Sequence, residues 1–464
     1  MNDIENRTYE ELEPGQSARL VRTLTDRDFD LYALLAAESN PAHVDAALAH
    51  SDLFRRVTAP GLWGGAIIAT LLVTQLPGPG TVLVEQSLHF PRPIVLGDAI
   101  SVTVTLVRKI EPTRRLEFEC RASNQRGEDV ILGTAIVLAP TEKIARPRTS
   151  VPTVELLPRA HRYDRLIEMA RGLNPLRTAV VWPVDALSLL GAIEAARANL
   201  IVPVLIGPEA MIRAAAAEAQ IDLSTYLIVG AEHPAAAAQS AVDMIRAGDA
   251  QSLMKGALHT DELMHAVVDR DRGLRTARRM SHVFAIDAPR YPRSLFVTDA
   301  ALNVYPTLTD KRDIIQNAID LAHALGIAVP RVAILSAVET VTQEIRSTLD
   351  AAALCKMADR HQITGGILDG PLAFDNAVSP EAARTKGIVS PVAGRADILV
   401  VPDLEAGNML AKQLEYLADA EMAGIVLGAR APIILTSRAD KTLSRLGSCA
   451  IALLLARHGS KAVS

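Results

Sequence analysis

The sequence predicts an α/β protein in two parts: an antiparallel sheet wrapped around one helix, then a larger region of alternating strands and helices. Two observations lead to this fold class. PGLWGGAIIATLLVTQLPG (60–78) is too long for a strand and too short for a membrane span, and β-patterned stretches follow it. From residue 178 onward, short apolar runs alternate with Ala-rich helical stretches. The 464 residues exceed one ordinary core, so we expect two or three domains.

The first part is predicted element by element from its apolar pattern. FDLYALLAA (29–37) predicts a helix that Asn40-Pro41 interrupts, and 60–78 predicts one buried helix. Three strands are predicted after it, in TVLVEQSLHF (81–90), DAISVTVTLVRKI (98–110) and EDVILGTAIVLA (128–139). A helix followed by a run of antiparallel strands indicates a sheet around a central helix.

A seam separates the two parts. Residues 141–164 hold three prolines and many charges but no sustained apolar period, which is typical of an exposed linker. We therefore expect one domain over 1–140, a linker over 141–154 and a second domain over 155–464.

The second part is predicted to be a doubly wound sheet. Helical stretches such as ALSLLGAIEAARAN (186–199) separate the strand candidates, and this alternation favours right-handed parallel crossovers. The candidates are TAVVWP (178–183), VPVLIG (202–207), YLIVGA (226–231), RVAILSA (331–337), DILVVP (397–402) and PIILTS (432–437).

Composition excludes several classes of function. The net charge is −5 with scattered basic residues, which argues against nucleic-acid binding. Three distant cysteines, Cys120, Cys355 and Cys449, cannot form a disulfide framework or a zinc site. The polar, acidic N-terminus is not a signal peptide, and no apolar run reaches the roughly 18 residues of a membrane span. We expect a cytoplasmic protein.

One polar group stands out near the end of the chain. Ser437, Arg438 and Asp440 follow the apolar run 432–435, so they fall at the carboxyl end of a predicted strand. Ligands bind at that end of strands in open α/β sheets. A hydroxyl, a guanidinium and a carboxylate there can bind an anion and move a proton. The alternative is a surface turn with a local Arg–Asp pair.

Seven ordered strings resemble the phosphate acetyltransferase/phosphate butyryltransferase family over residues 155–464. They are LMKGALHTDEL, SHVF, TDAALNVYP, LSAVE, ILDGPLAFDNAVS, PVAGRADILVVPDLEAGN and LTSRAD. The resemblance implies reversible acyl transfer between coenzyme A and inorganic phosphate, which are substrates rather than bound cofactors. It also implies two lobes, 155–292 with 424–464 and 293–423, around a cleft. No His/Cys cluster suggests a metal.

The same resemblance assigns roles to the polar group. Ser437 and Arg438 match the family's Ser-Arg pair, with Arg438 clamping phosphate through its two-pronged guanidinium. Asp440 would help to deprotonate the thiol, although acetyltransferases of the family place this carboxylate further along the chain. His265 stands where some of them have a second arginine, so Arg272 and Arg275 become alternative phosphate ligands.

Other polar residues in these strings are substrate-binding candidates. Asn303, Asn376 and Asn408 stand in strand-end contexts and could contact a ligand, although asparagine in turns is usually structural. Lys255 and Gly256 of LMKG could approach phosphate or close a turn.

A second resemblance covers residues 15–140. ESNPAHVD (38–45), with the helix that opens at Pro60-Gly61 and the segment SLHFPRPIVLGD, resembles the MaoC-like enoyl-CoA hydratases, which have the hot-dog fold. The resemblance implies that Glu38 and His43 hold a water and that Asn40 contributes to the substrate site. The N–H of Gly61, at a helix N-terminus, would bind the thioester oxygen.

Two departures leave the activity of this domain open. The family's aspartate is Glu38 here, and Pro60 stands where many relatives have histidine. The longer side chain shifts the carboxylate by about 1 Å, which can cost about a hundredfold in rate. The domain could hydrate enoyl-CoA, bind acyl-CoA without turnover or drive assembly. Bifunctional enoyl-CoA hydratase/phosphate acetyltransferase proteins are the arrangement implied, and an acyl-CoA-sensing regulator is the alternative. A hot-dog sheet usually pairs with a copy of itself, so a homo-oligomer is expected.

Overall fold

The computed structural model describes residues 4–36, 61–146, 162–435 and 442–461. The chain divides into two compact units, Met1–Leu156 and Leu157–Ser464. Each unit has its own hydrophobic core, and each is described by itself.

The first unit is an antiparallel sheet with one buried helix. Its described helices are Asp26–Ala36 and Gly61–Thr74. Its described strands are β1 (Ile4–Glu5), β2 (Ser17–Thr23), β3 (Val82–His89), β4 (Ala99–Ile110), β5 (Arg115–Ser123), β6 (Asp129–Leu138) and β7 (Ala145–Arg146). Five of them form a sheet in the order β2-β4-β5-β6-β3, with every neighbouring pair antiparallel, while β1 pairs with β7.

The central helix packs its apolar side chains against this sheet. Trp63, Ile67, Ile68, Leu71 and Leu72 are buried on the helix Gly61–Thr74 and share one cluster with alternate residues of the sheet. The predicted helix and three predicted strands are confirmed. Two strands of the five-stranded sheet were missed, β2 and β5, because charged residues occupy their outward positions and dilute the apolar signal. The two-residue strands β1 and β7 were not predicted either.

The second unit is built on a long sheet. Its described strands are β8 (Leu176–Val181), β9 (Ile201–Ile206), β10 (Leu227–Val229), β11 (Ser252–Lys255), β12 (Ser281–Asp287), β13 (Leu295–Thr298), β14 (Arg331–Leu335), β15 (Ile367–Leu372), β16 (Ile398–Val400), β17 (Glu421–Leu427) and β18 (Ile433–Ile434).

Helices separate most of these strands. The described ones are Arg162–Ala170, Ala186–Arg197, Glu209–Glu218, Pro234–Ala247, Thr260–Val268, Leu308–Ala324, Arg346–Asp359, Phe374–Val378, Pro380–Thr385, Leu404–Leu417 and Thr442–Lys461. The helix Ala186–Arg197 begins where predicted, because the Asp185 side chain accepts a hydrogen bond of 2.7 Å from the Ser188 N–H.

The sheet is mixed, which corrects the prediction of parallel crossovers throughout. Its order is β10-β9-β8-β11-β18-β17-β12-β13-β16-β14-β15. The pairs β18/β17, β17/β12 and β12/β13 are antiparallel, and the other neighbours are parallel. Strand β12 turns back into β13 within Ala288–Ser294, which is too short for the crossover that parallel strands need.

Because of this reversal, the strands of the sheet end at two opposite sides. Strands β8, β9, β11 and β18 end at one edge, which we call the lysine edge because β11 ends at Lys255. Strands β13, β14, β15 and β16 run the other way and end at the opposite edge, which we call the asparagine edge.

Candidate active site

Six of the candidate residues lie outside the described residues. They are Glu38, Asn40 and His43 in the first unit and Ser437, Arg438 and Asp440 in the second. The described neighbours still define where the second group attaches. The chain leaves β18 at Leu435 and is described again from Thr442, at the helix Thr442–Lys461.

Leu435 adjoins Lys255 at the lysine edge. Strands β11 and β18 are parallel and pair Leu253 with Ile433 and Met254 with Ile434, so the next residues along are Lys255 and Leu435. Ser437 follows Leu435 by two positions in the sequence. The described chain therefore ends beside Lys255, two residues before the predicted Ser-Arg pair in the sequence.

Lys255 and Gly256 are held tightly. Lys255 is 9% exposed, and its Nζ lies 3.4 Å from the carbonyl oxygen of Gly256. The Gly256 N–H donates to the carbonyl oxygen of Val181 at 2.9 Å. A Cβ at position 256 would lie 2.4 Å from that oxygen, so only glycine fits beside the end of β8. Backbone packing therefore requires glycine at position 256, whether or not Lys255 binds a ligand.

Asn303 belongs to a buried network at the asparagine edge. Its Nδ2 donates to the Met280 carbonyl at 2.9 Å and to Asp299 Oδ2 at 2.5 Å, and its Oδ1 accepts from Arg279 Nε at 2.7 Å. Asp299 also accepts from the N–H of His282 at 3.2 Å. Protein groups therefore occupy both amide donors of Asn303, which favours the structural role.

His282 is a buried histidine within the same network. It is 1% exposed, and its ring packs edge-on against Phe284 with 4.3 Å between ring centroids. Burial lowers the pKa of His282 to about 4, against an opposing effect of the Asp299 charge. His282 stands in SHVF and Asp299 in TDAALNVYP. The two residues come together only because the fold pairs β12 with β13.

Asn376 and Asn408 also lie near the asparagine edge. Asn376 is completely buried, and its Nδ2 donates to Glu339, which also accepts from Lys386. The hydrogen bond from Lys386 is the main cause that lowers the pKa of Glu339. Asn408 is exposed, and its Nδ2 donates to the Ala300 carbonyl at 3.3 Å.

The structure therefore separates two groups of candidates that the sequence placed in one site. Lys255 and the end of β18 lie at the lysine edge, whereas Asn303, Asn376 and Asn408 lie at the asparagine edge. The two alternative phosphate ligands have other partners: Arg275 pairs with Ala429 before β18, and Arg272 contacts Asp243 at 3.4 Å on the surface. His265 is in the last turn of the helix Thr260–Val268.

Gly61 opens the described part of the central helix in the first unit. It is exposed, and a Cβ at this position would lie 3.5 Å from the Phe90 ring, so the glycine is close to an aromatic side chain. The next aromatic residue of the helix, Trp63, is buried beneath the guanidinium of Arg22 at 5.9 Å.

The described residues hold no group of three or more His, Cys, Asp or Glu side chains that could bind a metal ion. Within the same ranges, no helix is both long and apolar enough to cross a membrane.

Comparison with known proteins connects each unit with a family. Residues 231–453 match the family model described as phosphate acetyl/butaryl transferase, and residues 10–125 match the MaoC like domain. The chain is 62% identical over 295 residues to a phosphate acetyltransferase of Rhizobium meliloti, which covers 64% of this chain and 93% of that protein.

Two further proteins are similar to the second unit. A phosphate butyryltransferase of Clostridium beijerinckii is 42% identical over 294 residues, with 63% of this chain and 97% of that protein covered. A branched-chain phosphotransacylase from Enterococcus faecalis V583 has a TM-score of 0.53 at 29% sequence identity, covering 60% of this chain and 99% of that one.

Proposed function

The chain belongs to the phosphate acetyl/butyryltransferase family and carries a MaoC-like domain, and on this premise we propose that it transfers a short acyl group between coenzyme A and inorganic phosphate. The observation that carries the proposal is the 62% identity to a phosphate acetyltransferase over 93% of that protein. Fold alone would not suffice, because one fold hosts many activities.

The chemistry gives one task to each of the proposed transferase residues. Attack of a thiol on an acyl phosphate requires a base for the thiol and positive charge for the phosphate and the developing oxyanion. Arg438 clamps the phosphate, Ser437 donates a hydrogen bond to it, and Asp440 accepts the thiol proton. Lys255 adds a buried cation on the neighbouring strand end.

The three asparagines are weaker candidates for substrate binding than Lys255. Hydrogen bonds to protein groups favour a structural role for Asn303 and Asn376, while the exposed side chain of Asn408 leaves it accessible to a ligand. Asn408→Ala should therefore alter the KM for coenzyme A more than Asn303→Ala alters it in properly folded protein.

Thioester formation from acyl phosphate and coenzyme A tests the acyl specificity. Acetyl, butyryl and branched-chain acyl phosphates would be compared with wild-type protein and Arg438→Ala. The proposal expects turnover of at least one acyl phosphate and its loss in the variant. Absence of turnover with all three would refute it.

We propose enoyl-CoA hydration as a second activity, in the first unit. The match of residues 10–125 to the MaoC like domain and the central helix that begins at Gly61 support it. Glu38 and His43 would hold the water that adds to the double bond, Asn40 would contact the substrate, and the Gly61 N–H would bind the thioester oxygen. Crotonyl-CoA loss would decide it, with His43→Ala abolishing hydration while acyl transfer stays unchanged.

We also propose how the chain assembles and where it is located. Strands β2 and β3 are the outermost strands of the five-stranded sheet in the first unit, and Val82 and Val84 of β3 are 56% and 45% exposed. An edge of this kind can pair with a second copy, so we propose a homo-oligomer. The composition of the chain supports a cytoplasmic location. Light scattering on purified protein would test it, and a monomer at micromolar concentration would count against it.

A further inference from the structure

A cavity of about 460 Å³ lies in the second unit where β12 ends and β13, β14 and β16 begin. The helix Arg162–Ala170 and residues 325–327, directly after the helix Leu308–Ala324, contribute to its lining. The volume is in the range of small-molecule sites, roughly 300–1,000 Å³. Its charged lining is two carboxylates, Asp287 and Asp397, facing four guanidinium groups, those of Arg162, Arg165, Arg293 and Arg331. We call it the arginine pocket.

One ion pair forms a fixed wall of the arginine pocket. Arg162 donates to Asp287 Oδ1 at 2.7 Å through its guanidinium and to Oδ2 at 3.1 Å through its backbone N–H, and it also donates to the Tyr291 carbonyl. Asp287 is 4% exposed. This pair neutralises itself, so it contributes rigidity rather than an available charge.

The second carboxylate, Asp397, accepts no hydrogen bond from the two guanidinium groups beside it, those of Arg293 and Arg331. Asp397 Oδ2 accepts a hydrogen bond of 2.8 Å from the backbone N–H of Arg331. The guanidinium groups of Arg293 and Arg331 lie 3.8 and 3.7 Å from Asp397, beyond hydrogen-bond distance. Across the ranges that the structure describes, no residue accepts a hydrogen bond from either guanidinium. Arg165, exposed on the adjoining helix, adds a third positive charge.

We infer that the arginine pocket binds a small anion with at least two negative charges, presented as phosphate or carboxylate groups. Two guanidinium groups around one cavity match the paired oxygens of such groups, since each presents a planar fork of N–H donors. Asp397 lies 3.8 and 3.7 Å from these two guanidinium groups and offsets one of their charges, so the ligand would bind on the sides of Arg293 and Arg331 that are turned away from that carboxylate.

The position argues for a site separate from that of acyl transfer. Strand β12 lies two strand spacings from β18, roughly 10 Å along the lysine edge. The ends of β11 and β18 contribute no residue to the arginine pocket. An anion in the pocket and phosphate beyond Leu435 could therefore be bound together.

Calorimetric titration of the full chain with pyrophosphate and with citrate tests the inference. Arg331→Gln and Arg293→Gln should each weaken binding by about ten- to a hundredfold, the range for losing one charged hydrogen-bond donor. Arg360→Gln is the matched control, because Arg360 is an exposed arginine at a helix end outside the pocket, and it should bind like wild type. The preferred anion identifies phosphate or carboxylate recognition.

Further arms separate this site from the proposed transferase. Binding should persist in Arg438→Ala and with saturating coenzyme A, and its loss in either case would overturn the inference. Failure of both anions to bind at millimolar concentration would also overturn it. If thermal unfolding shows Arg331→Gln to be unfolded, Arg293→Gln decides, since that side chain is 43% exposed. Binding is measured without turnover, so an inactive transferase would leave this result unaffected.

Discussion

His282→Gln should make the second unit less sensitive to acid. His282 is buried in β12, where the neutral ring packs against Phe284 and the ring Nδ1 has no hydrogen-bond partner among the described residues. Burial lowers its pKa from 6.5 to about 4, because a charged ring would lose its hydration there. Glutamine keeps a polar side chain of similar length but does not titrate.

The sign and size of the effect follow from proton linkage. Below pH 6.5 the unfolded chain takes up a proton on His282, whereas the folded chain takes it up only near pH 4. This histidine therefore lowers the free energy of unfolding as the pH falls through that window, and the loss is complete below the folded pKa. Between pH 7.5 and pH 5 the loss is about 2 kcal/mol, at about 1.4 kcal/mol per pKa unit.

Urea unfolding at pH 7.5 and pH 5 would measure it. The chain has two tryptophans, Trp63 and Trp182, so a Trp63→Phe background leaves Trp182 to report on the second unit. Wild type should lose about 2 kcal/mol more than His282→Gln between the two pH values. His458→Gln is the matched control, because His458 is exposed, and it should behave like wild type. Equal losses in wild type and His282→Gln would refute the reasoning.

Three further predictions concern the proposed sites. Arg438→Ala should lower kcat/KM for acyl transfer by about two to three orders of magnitude, and Arg438→Lys should recover little because a point charge lacks the two-pronged grip; a near-normal rate in the lysine variant would remove the bidentate role. Gly256→Ala should destabilise the second unit by about 1–3 kcal/mol, because its Cβ would lie 2.4 Å from the Val181 carbonyl oxygen, whereas Gly230→Ala, with open space around it, should not. Glu38→Asp should raise the rate of crotonyl-CoA hydration, and a fast wild type that this change cripples would show that Glu38 is built into the mechanism.

The fold of the first unit could be predicted from its sequence because its signals are local. The apolar run between two Pro-Gly pairs is too long for a strand and too short for a membrane span, so it predicts a buried helix. The confirmed strands β4 and β6 are rich in β-branched residues. The signal for β5 was weaker but present. Leu116, Phe118, Cys120 and Ala122 alternate with outward polar residues and are completely buried.

The direction of the strands in the second unit could not be predicted in the same way. An apolar run predicts a strand but not the direction in which the strand runs. Strand–helix alternation predicts parallel neighbours only where a helix connects two strands. The short connection Ala288–Ser294 reverses the chain between β12 and β13, and β14, β15 and β16 share the orientation of β13, whereas β18 again runs parallel to β11. As a result, Lys255, the last residue of β11, and Asn303, which follows β13, lie at opposite edges.

The local part of the candidate site was more accessible to sequence reasoning. Polar residues directly after the apolar run 432–435 were expected beyond a strand end, and Leu435 does lie beside the end of β11. Contacts such as His282 with Asp299 join strands through the fold, so no spacing along the chain could reveal them.

Consumption of acyl-CoA with and without inorganic phosphate tests the central claim most directly. Free thiol would be followed with acetyl-CoA and butyryl-CoA, in the presence and absence of a chelator. We expect release of coenzyme A that depends on phosphate, forms acyl phosphate in equal amount and is unchanged by the chelator. Thiol release independent of phosphate, or no release from either thioester by folded protein, would contradict the assignment as an acyltransferase. Activity abolished by the chelator and restored by a divalent ion would contradict the metal-independent mechanism.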